Sequence, residues 1–159
     1  MNYPTRLIFA CLVALALQSC GREETDSTTA PAASAPAAVA MPRSPAPPGA
    51  TVFLITPLDG QTVSSPVTVK FGISGIALAP AGDMTPNTGH HHLLVDVELS
   101  DPTVPIPSDA QHLHFGKGQT ETVLELPPGE HRLQLVLGDA NHVPHDPPIV
   151  SAPVTITVQ

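Results

Sequence analysis

Thiols are scarce in this chain: Cys11 and Cys20 are its two cysteines, and both lie close to the N-terminus. The region from Thr51 to Gln159 therefore has no means of forming a disulfide, a thiolate metal ligand or a cysteine nucleophile. A metal there would have to be held by nitrogen and oxygen. Soft thioether ligation is equally restricted, because Met84 is the single methionine of that region, which argues against Cu(I). Tryptophan is absent, and the single tyrosine, Tyr3, lies outside the region, so the aromatic hallmarks of an antibody-type domain are missing. Basic residues are few as well. Lys70, Lys117 and Arg132 stand against eleven acids between residues 51 and 159, a balance that excludes nucleic acid and an anionic membrane surface as partners but admits cations.

The N-terminus carries a processing signal. Arg6 supplies a positive start, and Leu7 to Leu17 is an apolar run too short to span a bilayer as a stable helix. Leu17-Gln18-Ser19-Cys20 resembles a bacterial lipobox. Residues 1–19 are thus expected to be a lipoprotein signal peptide, with Cys20 the lipidated residue; the alternative is an ordinary signal peptide in which Cys20 is incidental. Residues 20–50 are rich in Ala, Pro, Ser and Thr, with nothing bulky to bury, and read as a disordered spacer. These features imply a lipid-anchored protein of the cell envelope, on the outer membrane facing the periplasm.

Residues 51–159 form one domain in which period-two alternation prevails. Val67, Val69, Phe71 and Ile73 share a face, as do His91, Leu93, Val95, Val97 and Leu99, and then His131, Leu133, Leu135 and Leu137. Turn signals such as Pro57-Leu58-Asp59-Gly60 and Pro127-Pro128-Gly129 separate the runs. About seven short strands at this spacing predict an all-β, immunoglobulin-like antiparallel sandwich, with a jelly roll or small barrel as the alternative.

All eight histidines fall between His90 and His145. Imidazole is a common metal ligand, so the clustering points to a site. His90 and His92 share a strand face, and so do His112 and His114. Sandwich topology places the start of the His90 strand beside the end of the strand that finishes near Asp139, where His142 and His145 follow. The predicted ligands are His90, His92, His114, His142 and His145, with Glu121, Asp139 and His91 next to them to orient the rings. His91 also reads as a hydrogen-bonded core residue, and His131 as an ordinary surface or turn histidine. Nitrogen and oxygen donors of this kind suit Zn(II), Cu(II) or Ni(II) better than Ca or Mg, with Zn or Cu(II) preferred.

The strings GHHHLLVD, HFGKGQTE and LPPGEHRLQLVLGDANHVPHDPP, in that order, resemble the bacterial and archaeal domain of unknown function 4399. The resemblance covers about Gly89 to Val158. It implies that His90, His91, His92, Leu93, His114, Gly118, Gln119, Thr120, Glu121, Gly138, Asp139, His142 and His145 belong to the family's signature, which His112 and His131 match less clearly. The family implies no activity.

Three functions are compatible with this reading. The first is a membrane-tethered, non-catalytic domain that binds a divalent transition metal. The second is a structural or interaction module whose histidines brace its loops through hydrogen bonds. The third is a metal-assisted hydrolase using Glu121 or Asp139 as base, for which no recognised catalytic string is present.

Overall fold

Alternating apolar residues build two facing sheets. The computed structural model of the protein describes residues 42–159; the expected signal peptide, Cys20 and residues 21–41 lie outside the described residues. The strands are β1 (Thr51–Thr56), β2 (Thr62–Val63), β3 (Val67–Ser74), β4 (Ala77–Leu78), β5 (Thr88–Val95), β6 (His112–Phe115), β7 (Glu121–Leu124), β8 (Gly129–Gly138) and β9 (Val154–Val158). One sheet has the order β1-β3-β7; the other runs β2-β9-β8-β5-β4, with β6 paired to the end of β5. No helix occurs among the described residues. The architecture is the expected immunoglobulin-like β-sandwich. Two short pairings, β2 with β9 and β4 with β5, are parallel, so the sandwich is not wholly antiparallel.

The core lies between the sheets. Val52, Val67, Val69, Phe71 and Leu124 meet Leu93, Leu133, Leu135, Leu137 and Ile156 across the gap. Each such side chain contributes about 1.5–3 kcal/mol when fully buried. The centre of the larger sheet is the β5–β8 pair, in which Leu93 stands opposite Leu135 with neither exposed.

Strand β5 departs from simple alternation because both of its faces are covered. His91, Leu93 and Val95 point into the sandwich. On the other face Leu94 joins Val136 of β8 and Ile106 of the β5–β6 connection in a second, smaller apolar cluster. That connection covers the outer face there, while residues 143–151 between β8 and β9 pair along the edge of β8. The run His90-His91-His92-Leu93-Leu94 is therefore continuously buried. His90 and His92 sit on the outer, loop-covered face.

Two sequence expectations are corrected here. Residues 42–50, expected in the disordered spacer, are docked on the domain: Ala46 N donates to Asp146 O at 2.8 Å, and Asp146 N to Ser44 O at 2.9 Å. Ala46 and Ala50 also pack against the core. The physical reason is that backbone pairing and small side chains suffice for docking, and composition does not register either. His131, expected at the surface, is buried at 7% exposure. Strand β5 ends at Val95, and Asp96 takes a left-handed conformation with φ of 60°. The turn breaks the alternation that would have put Asp96 on the face of His90 and His92. Its carboxylate instead accepts from His131 Nδ1 at 2.7 Å and Arg132 N at 2.8 Å, while His131 Nε2 faces Pro127 O at 2.9 Å.

Candidate metal centre

Three separate elements bring four imidazoles together. Strand β5 supplies His90 and His92, two residues apart and so on one face. Strand β6 pairs antiparallel with β5 in a register that sets His114 opposite His92. His142 comes from the loop after β8. One ring nitrogen of each residue lies within 4.8 Å of the others. His92 Nε2 is 3.0 Å from His90 Nε2, which is 3.1 Å from His142 Nδ1. Four nitrogens held tetrahedrally around Zn(II) at 2.0–2.1 Å would lie about 3.3 Å apart, so these two spacings need only a slight expansion.

The backbone of His142 is held for this purpose. Its φ is 66°, a left-handed conformation uncommon outside glycine but more accessible to histidine than to most residues. Its N–H donates to Asp139 O and its carbonyl accepts from Ile106 N, both at 2.9 Å. The loops on both sides of the outer face thus converge on one residue.

Two glycines make room for the rings. A Cβ on Gly138 would lie 2.9 Å from His92 Nε2, and one on Gly116 would lie 2.4 Å from His114 Cε1. Neither steric role follows from local sequence pattern. Their positions beside histidine-bearing strands were the only available signal, because a close approach is visible only in three dimensions.

Burial grades across the cluster. His90 and His92 are 0% and 1% exposed, His142 is half-buried and His114 is exposed. Desolvation, with the neighbouring imidazoles adding to it, pushes His90 down to about 4 and His92 down to about 2. His114 is lowered in the same way, by burial and then by His142. The buried rings are thus neutral at physiological pH and present lone pairs, as a metal requires.

The other predicted site residues lie elsewhere. His145 does not join the four; its Nε2 faces Thr88 O at 3.2 Å and its Nδ1 faces Leu137 O at 3.4 Å. His91 points into the sandwich, stacks edge-on against Phe71 and reaches Gln119 O at 3.2 Å, so it orients no ligand ring. Burial lowers its pKa. Glu121 is exposed on β7 of the opposite sheet, 3.7 Å from Lys70 Nζ. Asp139 is buried beside the cluster, but its oxygens accept from Ser44 N and Oγ and from Asn141 N and Val143 N. It therefore orients the loop, not a ring. The Nδ1 atoms of His90 and His92 have no hydrogen-bond partner among the described residues. His112 is tied to Asp109 at 2.9 Å at the other end of β6.

No curated protein matches the chain in sequence. Among solved structures, the fibronectin(III)-like modules of CbhA from Clostridium thermocellum share 13% identity with it, over 69% of this chain and 45% of that one, with a TM-score of 0.39. The chain thus spans less than half of that structure. Residues 69–159, from within β3 to the C-terminus, match the domain of unknown function DUF4399, and the chain belongs to that family.

Proposed function

We propose that this domain binds one divalent transition ion, Zn(II) or Cu(II), through His90, His92, His114 and His142, as a non-catalytic module tethered to the cell envelope. One observation carries the reading: four ring nitrogens from three elements face one another instead of facing acceptors. A neutral imidazole nitrogen has either one proton or one lone pair. His90 Nε2 has two imidazole nitrogens at 3.0 and 3.1 Å and can make one good hydrogen bond with them, not two. A cation accepts all the lone pairs at once. Among the described residues no thiol occurs and no carboxylate bonds any of the four rings, which favours a borderline ion over Cu(I), Ca or Mg.

The reading in which the histidines merely brace the loops draws support from the same short contacts. Two histidines of this chain are braced in that sense. His131 and His145 each face oxygen acceptors only, to one of which a neutral ring can donate. The cluster differs, since its rings spend one nitrogen on each other and two of them leave the second unpaired. The hydrolase reading finds neither of its bases in place, because Glu121 is remote and Asp139 is fully engaged.

Calorimetry of the wild type and of His92→Ala, with chelator and with excess Zn(II) or Cu(II), tests the proposal. Binding to the folded state alone stabilises it by about 2.7 kcal/mol at a hundredfold excess over Kd. Wild type is expected to melt higher with metal, and His92→Ala to lose that increment. Equal melting temperatures for wild type in chelator and in metal would leave the bracing role.

A further inference from the structure

The segment through which the chain enters the domain is fastened to the loop that carries His142. Arg43 Nε donates to Pro144 O at 3.0 Å, a second guanidinium nitrogen donates to His145 O, and the third meets Asp146 Oδ1 at 3.0 Å. Ser44 donates to Asp139 Oδ2 from its hydroxyl at 3.0 Å and its amide at 3.3 Å. The other oxygen of that carboxylate, Oδ1, accepts from Asn141 N at 2.9 Å and Val143 N at 3.1 Å, the two amides that bracket His142. Asp139 is 1% exposed. One buried carboxylate thus clips the entering segment with one oxygen and holds the turn around His142 with the other. Residues 42–46 lie outside the stretch that matches the family.

We infer that Arg43 and Ser44 are positioning residues for the metal centre, and that docking of this strap and binding of metal reinforce each other. The inference rests on the metal-binding reading. His142 has a left-handed backbone, and Asp139 holds the turn that contains it through its carbonyl and its carboxylate. With the strap docked, the loop is already in its ligating form. With the strap released, only a fraction of molecules holds His142 in place, and the apparent affinity falls by that fraction. Linkage makes the effect reciprocal: a bound ion holds the loop, and the held loop retains the strap. A tether joined at Pro42 would act on the metal centre directly, through the first side chains that follow it.

The test uses the full chain and Zn(II) alone as probe. Competition with a chelator is expected to show the double variant Arg43→Ala, Ser44→Ala binding Zn(II) 10–100-fold more weakly than wild type, the usual effect of removing outer partners of a metal site. Ser44→Thr keeps the hydroxyl donor and is expected to retain wild-type affinity. In the wild type, Zn(II) is expected to slow hydrogen exchange at the Ser44 and Ala46 amides by a similar factor, while Gln159, whose amide bonds Val63 O in the distant β2–β9 edge, is unchanged. A merely structural strap would not respond to the ion. Zn(II) bound by wild type with no change in exchange at Ala46, or equal affinity in the double variant, overturns the coupling and leaves the metal site standing. Failure of wild type to bind Zn(II), or Cu(II) in its place, overturns both. If the double variant does not fold, the exchange measurement on wild type decides.

Discussion

Replacing Gly138 by Ala probes the metal centre beside one of its buried rings. The new Cβ would lie 2.9 Å from Nε2 and 3.1 Å from Cδ2 of His92, and 3.4 Å from the Cα of His142. Relief needs a displacement of about 0.5 Å in a packed interior. His92 has little space to give, since it is 1% exposed and His90 lies 3.0 Å away. Overpacking of this kind costs about 1–3 kcal/mol. Gly138 has no positive φ, so alanine also recovers about 0.4–1 kcal/mol by restricting the unfolded chain. The metal-free variant should therefore lose about 1–2 kcal/mol by denaturant titration in chelator. The larger effect is on binding, because a ligand nitrogen moved by half an ångström leaves the productive geometry. Wild type gains about 2.7 kcal/mol from a hundredfold excess of Zn(II), a rise of roughly 10 °C in Tm for a domain of this size. Gly138→Ala should show almost none of that rise. Gly116→Ala makes a sharper clash, at 2.4 Å from His114, but His114 is exposed and can swing into solvent. It should unfold much like wild type in chelator while binding Zn(II) more weakly. A full Zn(II)-dependent rise in Gly138→Ala would refute the placement of His92 Nε2 among the ligands.

Three further outcomes are expected. His90 and His92 have folded pKa values below the unfolded 6.5, so the unfolded chain takes up more protons and the metal-free domain loses stability as pH falls below 6.5, by about 1.4 kcal/mol per pH unit for each residue down to about pH 4; denaturant titrations between pH 7 and 5 check this, and a flat profile counts against the burial. His131 has the opposite sign: its hydrogen bond to Asp96 raises its pKa, so its contribution is complete below 6.5 and is lost as pH rises through the folded value, and His131→Ala should abolish that alkaline loss and cost about 1–3 kcal/mol at pH 6 without altering Zn(II) affinity. Cys20→Ser should release the protein from the membrane fraction of its cells, and equal membrane retention would rule out the lipid anchor.

Local pattern was enough to specify the strands, and with them half of the candidate site. Period-two alternation put Val67, Val69 and Phe71 on one face of β3 and His90 with His92 on one face of β5, because a pleated strand alternates its side chains whatever surrounds it. Clustering of histidines and sandwich topology also brought β5, the end of β8 and the loop beyond it to one pole. Tertiary structure decided the rest. Which histidine of the Asn141–Asp146 loop joins the cluster depends on a left-handed residue held by Asp139 and Ile106: His142 does, while His145 packs against the backbone of Thr88. Both faces of β5 are buried because a connection remote in sequence lays Ile106 over Leu94. His131 is internal because Asp96 reverses the chain to meet it. Gly116 and Gly138 matter for the space they leave, and Arg43 for carbonyls about a hundred residues away. None of these is periodic or local. Each is a contact between segments whose juxtaposition exists only after the sheets have paired.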